Sequence, residues 1–148
     1  MASGDHFYTT SETERDRAVS EHGYTFEQVA AYVHPTPVVG SAPFYRLVSH
    51  ESGEHFYTAS EAERDESATT VGYTIEGVAA FVHRGQAEGT VPLFRLRNDE
   101  TLDHFYTASE TERDEAASSH GYHFEEIAGY VYADQAEGTV PLFRLVAA

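Results

Sequence analysis

His6, His55 and His104 recur every 49 residues, each opening the phrase His-Phe-Tyr-Thr. Three imidazoles related in this way could meet on one axis and hold a zinc or nickel ion, as His₃ sites do. The simpler chemistry is a strand-end histidine bonded to backbone or to a carboxylate, and no metal is expected. An arginine keeps the same period: Arg46, Arg95 and Arg144 stand between apolar neighbours in Phe-Tyr-Arg-Leu or Leu-Phe-Arg-Leu. A guanidinium so flanked needs partners if it is buried. Glu27, Glu76 and Glu125, each shortly after a Gly-Tyr pair, are the candidates. Such a fork either locks each unit with a salt bridge or donates to a sugar hydroxyl or an acidic ligand. Tyrosines complete the set. Tyr8, Tyr57 and Tyr106 lie inside the phrase; Tyr24, Tyr73 and Tyr122 follow the repeated glycine. A tyrosine ring stacked on a sugar, with His, Arg or Glu bonding the hydroxyls, makes a lectin-like pocket. The alternative is that these rings are edges of the core.

Other groups read as less promising. The Glu-Arg-Asp segments offer paired carboxylates, the equipment of glycoside hydrolysis. Acids on a first helical turn are usually solvated, and three copies of one active site in so short a chain would be unusual. No enzyme activity is expected. His22, His34, His50 and His83 read as surface positions outside the threefold pattern.

The elements that must position these residues follow from the same period. Gly23, Gly72 and Gly121 keep it, as do Pro43, Pro92 and Pro141. An uninterrupted repeat of this length indicates stacked or ring-arranged supersecondary units. His-Phe-Tyr-Thr is rich in strand formers. Ser11, Ser60 and Ser109 precede Glu14, Glu63 and Glu112 by three residues, the spacing of a capping box. Helices are expected over 12–21, 61–70 and 110–119, each stopped by its glycine in the left-handed conformation. The strands Glu-Gln-Val-Ala-Ala-Tyr-Val-His, Glu-Gly-Val-Ala-Ala-Phe-Val-His and Glu-Glu-Ile-Ala-Gly-Tyr-Val-Tyr are apolar on both alternating faces, which predicts burial on both sides. Pro-x-x-Arg-Leu, a turn and the next His-Phe-Tyr-Thr then read as a hairpin.

The first phrase has no preceding hairpin partner and the last Pro-Leu-Phe-Arg-Leu has no following one. The economical solution pairs strand 6–10 with strand 141–146, removing two bare edges. The expected fold is α+β: three strand–helix–strand–strand units (1–47, 48–96 and 97–148) in one domain, closed into a pseudo-threefold, propeller-like ring. An open stack of units is the alternative.

Composition narrows the partners. The 148-residue chain carries a formal charge of −16, and all nine of its basic residues are Arg. Such a surface repels phosphate backbones and anionic bilayers, so neither nucleic acid nor membrane insertion is expected. With no cysteine, a disulfide framework and thiolate zinc sites are excluded. The N-terminal segment shows no signal-peptide pattern.

The pattern His-Phe-Tyr-Thr-x-Ser-x-x-Glu-Arg-Asp, then Gly-Tyr and Val-Pro-Leu-Phe-Arg-Leu, resembles a tandem-repeat domain family of uncharacterised function. The likeness covers all three units. The first departs most, with His-Pro-Thr-Pro-Val-Val-Gly-Ser-Ala-Pro-Phe-Tyr-Arg-Leu where the others carry Gln-Ala-Glu-Gly-Thr-Val-Pro-Leu-Phe-Arg-Leu. The resemblance implies a secreted bacterial or fungal setting beside polysaccharide-acting domains, and lends no catalytic residues or cofactor. The expected function is therefore a non-enzymatic carbohydrate-binding module with up to three equivalent sites. The alternative is a structural or protein-interaction scaffold without a small ligand.

Overall fold

In a computed structural model describing residues 4–148, each repeat unfolds into the same sequence of elements. The first contains β1 (His6–Thr9), α1 (Glu12–Glu21), β2 (Tyr24–Val33) and β3 (Ser41–Ser49). The second contains β4 (His55–Thr58), α2 (Glu61–Glu66), β5 (Tyr73–His83) and β6 (Val91–Asn98). The third contains β7 (His104–Thr107), α3 (Glu110–Ser119), β8 (Tyr122–Val131) and β9 (Val140–Ala147). The described residues are mostly β, with three short α-helices, so the helical share is smaller than the α+β expectation suggests. None of these helices is long and apolar enough to cross a membrane.

Helix starts obey the capping rule. Ser11, Ser60 and Ser109 are extended, and each hydroxyl accepts the N–H of the glutamate three residues on. Such a cap contributes about 1 kcal/mol. α1 and α3 keep the expected bounds. α2 does not: at Ser67 it widens into a π-helical turn, Ser67–Val71. The hydroxyls of Thr69 and Thr70 bond back to the carbonyls of Asp65 and Glu66, competing with the helical ladder. Buried Ser67 also occupies the place of Ala18 and Ala116, leaving that turn less apolar to pack.

Each short strand pairs with the arginine-bearing strand: β4 with β3, β7 with β6, and β1 with β9. The register is the same in all three, setting Tyr57 opposite Arg46, Tyr106 opposite Arg95 and Tyr8 opposite Arg144. The first and last strands thus make the third hairpin contact without a connecting turn. The arginine strand lies between the short strand and the long one, giving the orders β1-β9-β2, β4-β3-β5 and β7-β6-β8. Contact between β5 and β8, through His83 and Tyr130, joins the last two into a six-stranded sheet. Gly129, where the other units have Ala31 and Ala80, permits that approach. A Cβ at Gly129 would lie 2.7 Å from Cγ2 of Val82.

The principal core gathers equivalents from every unit: Tyr8, Tyr57 and Tyr106; Phe44, Leu93 and Leu142; Val33, Val82 and Val131. Satellite clusters lie under the helices, with Phe7 against Ala18 and Phe105 grouped with Ala116. Apart from Tyr24 at the start of β2, the long strands bury residues only in their second halves. Val78 and Ile127, inside the strands expected to be buried on both faces, are exposed and correct that expectation; Phe26, Ile75 and Phe124, just before those strands, are exposed as well. Only the C-terminal halves converge on the core; the N-terminal halves form an outer rim.

His34 and His83 also depart from expectation. They are buried, not surface residues, and with Tyr132 they occupy one repeat position. Their rings meet edge to face, with centroids 5.3–5.9 Å apart.

The turns before the short strands hold Gly4, Gly53 and Leu102, all at positive φ. Leu102, at φ 70°, is the only non-glycine so placed among the described residues, and it is 40% exposed. A left-handed L-residue costs about 1–2 kcal/mol, partly offset by the entropy glycine loses on folding. Leu102→Gly is expected to stabilise the fold by about 0.5–1 kcal/mol, seen as a higher urea midpoint. A lower midpoint would mean that contacts of the leucine outweigh its strain.

Candidate functional site

The sequence-derived candidates assemble into three sets of cyclic contacts. Tyr8, Tyr57 and Tyr106, each at most 1% exposed, form the innermost. The hydroxyl of Tyr57 accepts the N–H of Tyr8 at 2.7 Å and donates to its carbonyl at 2.8 Å. Tyr106 does the same for Tyr57, and Tyr8 for Tyr106. Short strands present unpaired backbone groups toward their neighbours, and the phenols satisfy them. These three rings are therefore framework. The expected stacking of a sugar on Tyr8, Tyr57 or Tyr106 is corrected, because ring and hydroxyl are both committed within the core.

The histidines join adjacent units. His6, His55 and His104 approach Asp103, Asp5 and Glu54 through Nδ1 at 2.5, 2.7 and 3.1 Å. Each Nε2 lies 3.6 Å from Glu27, Glu76 and Glu125 respectively. Each histidine thus has its own pair of acids, and among the described residues the three are not grouped to hold one metal ion. Tyr24, Tyr73 and Tyr122 donate to Asp5, Glu54 and Asp103. These buried acids, immediately before each His-Phe-Tyr-Thr, were missing from the sequence-derived set. Their signal was present: an acid precedes all three copies.

Each arginine is clamped by two carboxylates. Arg46 forks onto Glu14 at 3.0 and 2.8 Å and donates from Nε to Glu76 at 2.8 Å. Arg95 treats Glu63 and Glu125 alike, as Arg144 does Glu112 and Glu27. The guanidiniums also stack on Phe7, Phe56 and Phe105 at 4.9, 5.0 and 4.7 Å. Glu14, Glu63 and Glu112 therefore complete no capping box. Their carboxylates accept from Thr9, Thr58 and Thr107 instead, and those threonines cover the serine N–H groups.

An open cleft marks the junction of the first two units. It lies between α1 and the β3–β4 hairpin and encloses about 1090 Å³. Glu14, Arg46, His55 and Glu76 line it with polar groups, beside the largely buried rings of Phe7 and Tyr24. The rim carries Arg17, where the equivalent residues are Glu66 and Glu115.

A family model described as a domain of unknown function, DUF5648, matches residues 1–83 and again residues 43–148. The chain belongs to the DUF5648 family. Two overlapping matches are what repeated units in a DUF5648 chain would give. No curated protein and no solved structure matches it.

In this DUF5648 chain the networks carry a pH signature. Burial alone would lower the His6 imidazole, but its hydrogen bond to Asp103 and the nearby Glu27 carboxylate overcome it and push the group up to about 9. A folded value above the unfolded 6.5 contributes stability that is complete below pH 6.5 and lost as pH rises through about 9. Denaturation between pH 6 and 10 is expected to show falling stability across that window, by roughly 1.4 kcal/mol per unit of raised pKa. His6→Gln, which still donates to Asp103, should flatten this slope. An unchanged slope would assign it to other groups.

Proposed function

We propose that the three units close into a pseudo-threefold, propeller-like ring, in which the repeated Tyr, His and Arg side chains are the frame. The β1–β9 pairing and the cyclic tyrosine bonds support this reading. We further propose a non-enzymatic, carbohydrate-binding role, with recognition at the α1 cleft instead of at three equal sites. The cleft carries this reading. Its partly exposed carboxylates, Glu14 and Glu76, can accept from sugar hydroxyls on the side away from Arg46, and Arg17 on the rim can donate. The overall charge of −16 favours a neutral glycan over a polyanion. The family resemblance suggests a secreted, wall-associated setting, where repetitive targets reward several weak contacts.

Calorimetry against neutral cell-wall oligosaccharides is expected to show one site per chain, weakened by Glu76→Gln. Blank titrations at millimolar sugar, with a blank glycan array, would overturn the proposal. A second reading, a protein-interaction scaffold, is favoured by the apolar residues on the outer rim: Phe26, Ile75, Val78, Phe124 and Ile127. Charged substitutions there would leave sugar binding intact and abolish protein capture.

A further inference from the structure

We propose that His34, His83 and Tyr132 form a binding site for one divalent transition-metal ion, zinc or copper. These residues stand at one repeat position, so each unit contributes one donor. The rings form a triangle with centroid separations of 5.3 Å for His34–His83, 5.7 Å for His34–Tyr132 and 5.9 Å for His83–Tyr132. Two imidazoles on a tetrahedral ion, with metal–nitrogen bonds of about 2.0–2.1 Å, place their centroids about 5 Å apart. Nε2 of His83 lies 3.5 Å from the Tyr132 hydroxyl. That is long for a hydrogen bond, whereas two donors on a tetrahedral ion stand about 3.3 Å apart.

The independent observation is Nε2 of His34. Its residue is 9% exposed, and the atom is buried without a hydrogen-bond partner. Among the described residues it is the only side-chain nitrogen or oxygen so orphaned. Such atoms are rare in folded proteins, and a bound ion gives this one a partner. Among the described residues no three His, Cys, Asp or Glu are grouped to hold a metal. The site reaches three donors only through the phenol.

Imidazole nitrogen with phenolic oxygen suits copper and zinc and excludes magnesium or calcium, which take oxygen sets. Three protein donors leave a fourth position for water. The loops around the cluster differ usefully. A Cβ at Gly40 would lie 3.8 Å from Nδ1 of His83, and one at Gly89 would lie 3.5 Å from the Tyr132 ring. Those backbones cover their rings closely. At Gly138, the third equivalent, a Cβ would meet nothing within 4 Å, which leaves a gap in the cover.

Competition titration with a chromophoric chelator tests this, using zinc and copper(II) with magnesium as control. One zinc or copper ion per chain is expected, with no competition by magnesium. His34→Phe and His83→Phe keep an aromatic ring but remove the donor. Each should weaken binding beyond the roughly 10–100-fold seen when only an outer-shell partner is lost. His22→Ala, an exposed control, should change nothing. Copper binding should also bring a phenolate charge-transfer band that Tyr132→Phe abolishes. Because a ring substitution could perturb folding, Tyr132→His provides a gain-of-binding arm: a third imidazole should tighten zinc binding. The proposal is overturned if His34→Phe, folded by circular dichroism, binds zinc like the unaltered protein. Unchanged zinc affinity in Tyr132→His, or an equal loss in His22→Ala, would overturn it as well.

Discussion

Tyr57→Phe is expected to destabilise the protein by about 2–4 kcal/mol, although it removes a single oxygen. Tyr57 is 0% exposed and its hydroxyl has two obligations: it accepts the Tyr8 N–H at 2.7 Å and donates to the Tyr8 carbonyl at 2.8 Å. Phenylalanine retains the packing but strands both backbone groups. Each buried, unsatisfied group costs about 1–3 kcal/mol. Tyr8→Phe and Tyr106→Phe should behave alike, since their hydroxyls cover the same groups one unit round. Tyr45→Phe is the control. Its hydroxyl reaches Glu61 only at 3.5 Å, and its loss should move the urea midpoint little. If Tyr57→Phe costs no more than Tyr45→Phe, the cyclic network contributes little to stability.

Much of this framework was legible because it is written locally and three times. Ser11 and Glu14 announce a helix by spacing alone, and α1 begins where they place it. The lone strands at the two ends imply a partner, and β1 pairs with β9. The arginine strand demanded carboxylates, and Glu27, Glu76 and Glu125 each supply one. Strand alternation sets Phe7 on one face of β1 and His6 and Tyr8 on the other. It could not tell that both faces are buried. The helix covers the phenylalanine side while the neighbouring units cover the tyrosine side, and the second cover depends on how units meet. The same limit hid Asp5, Glu54 and Asp103, whose histidines lie one unit away. It also hid the cluster of His34, His83 and Tyr132, because a histidine-only search stops when the third copy becomes tyrosine. Contacts within a unit follow from spacing; contacts between units need the geometry of assembly.

That distinction makes Arg144 the sharpest probe of the networks, because it joins the last unit to the first. Its side chain is 4% exposed, forks onto Glu112 at 2.9 and 2.7 Å, and reaches Glu27 at 2.8 Å. Arg144→Met keeps the length of the stem and removes the charge, leaving two carboxylates without their shared cation. Breaking a fully buried pair costs about 3–5 kcal/mol; these glutamates keep about a third of their exposure, so about 2–4 kcal/mol is expected at pH 7. The pH dependence separates charge from packing. Burial pushes Glu112 up, yet hydrogen bonds from Arg144 and Thr107 outweigh it and hold the carboxyl below its usual range. Glu27 is lowered chiefly by the His6 imidazole 3.6 Å away, with Arg144 adding to the effect. A lowered folded value contributes stability present above the unfolded value of about 4.5 and lost as pH falls through the folded one. The gap between the unaltered protein and Arg144→Met should therefore be widest from pH 6 to 8 and shrink toward pH 4, as the stranded carboxylates take up protons. Glu112→Gln in the Arg144→Met background should recover part of the loss at pH 7 by removing one stranded charge. A gap that stays constant from pH 8 to 4 would instead assign the loss to the contact between Arg144 and the Phe105 ring.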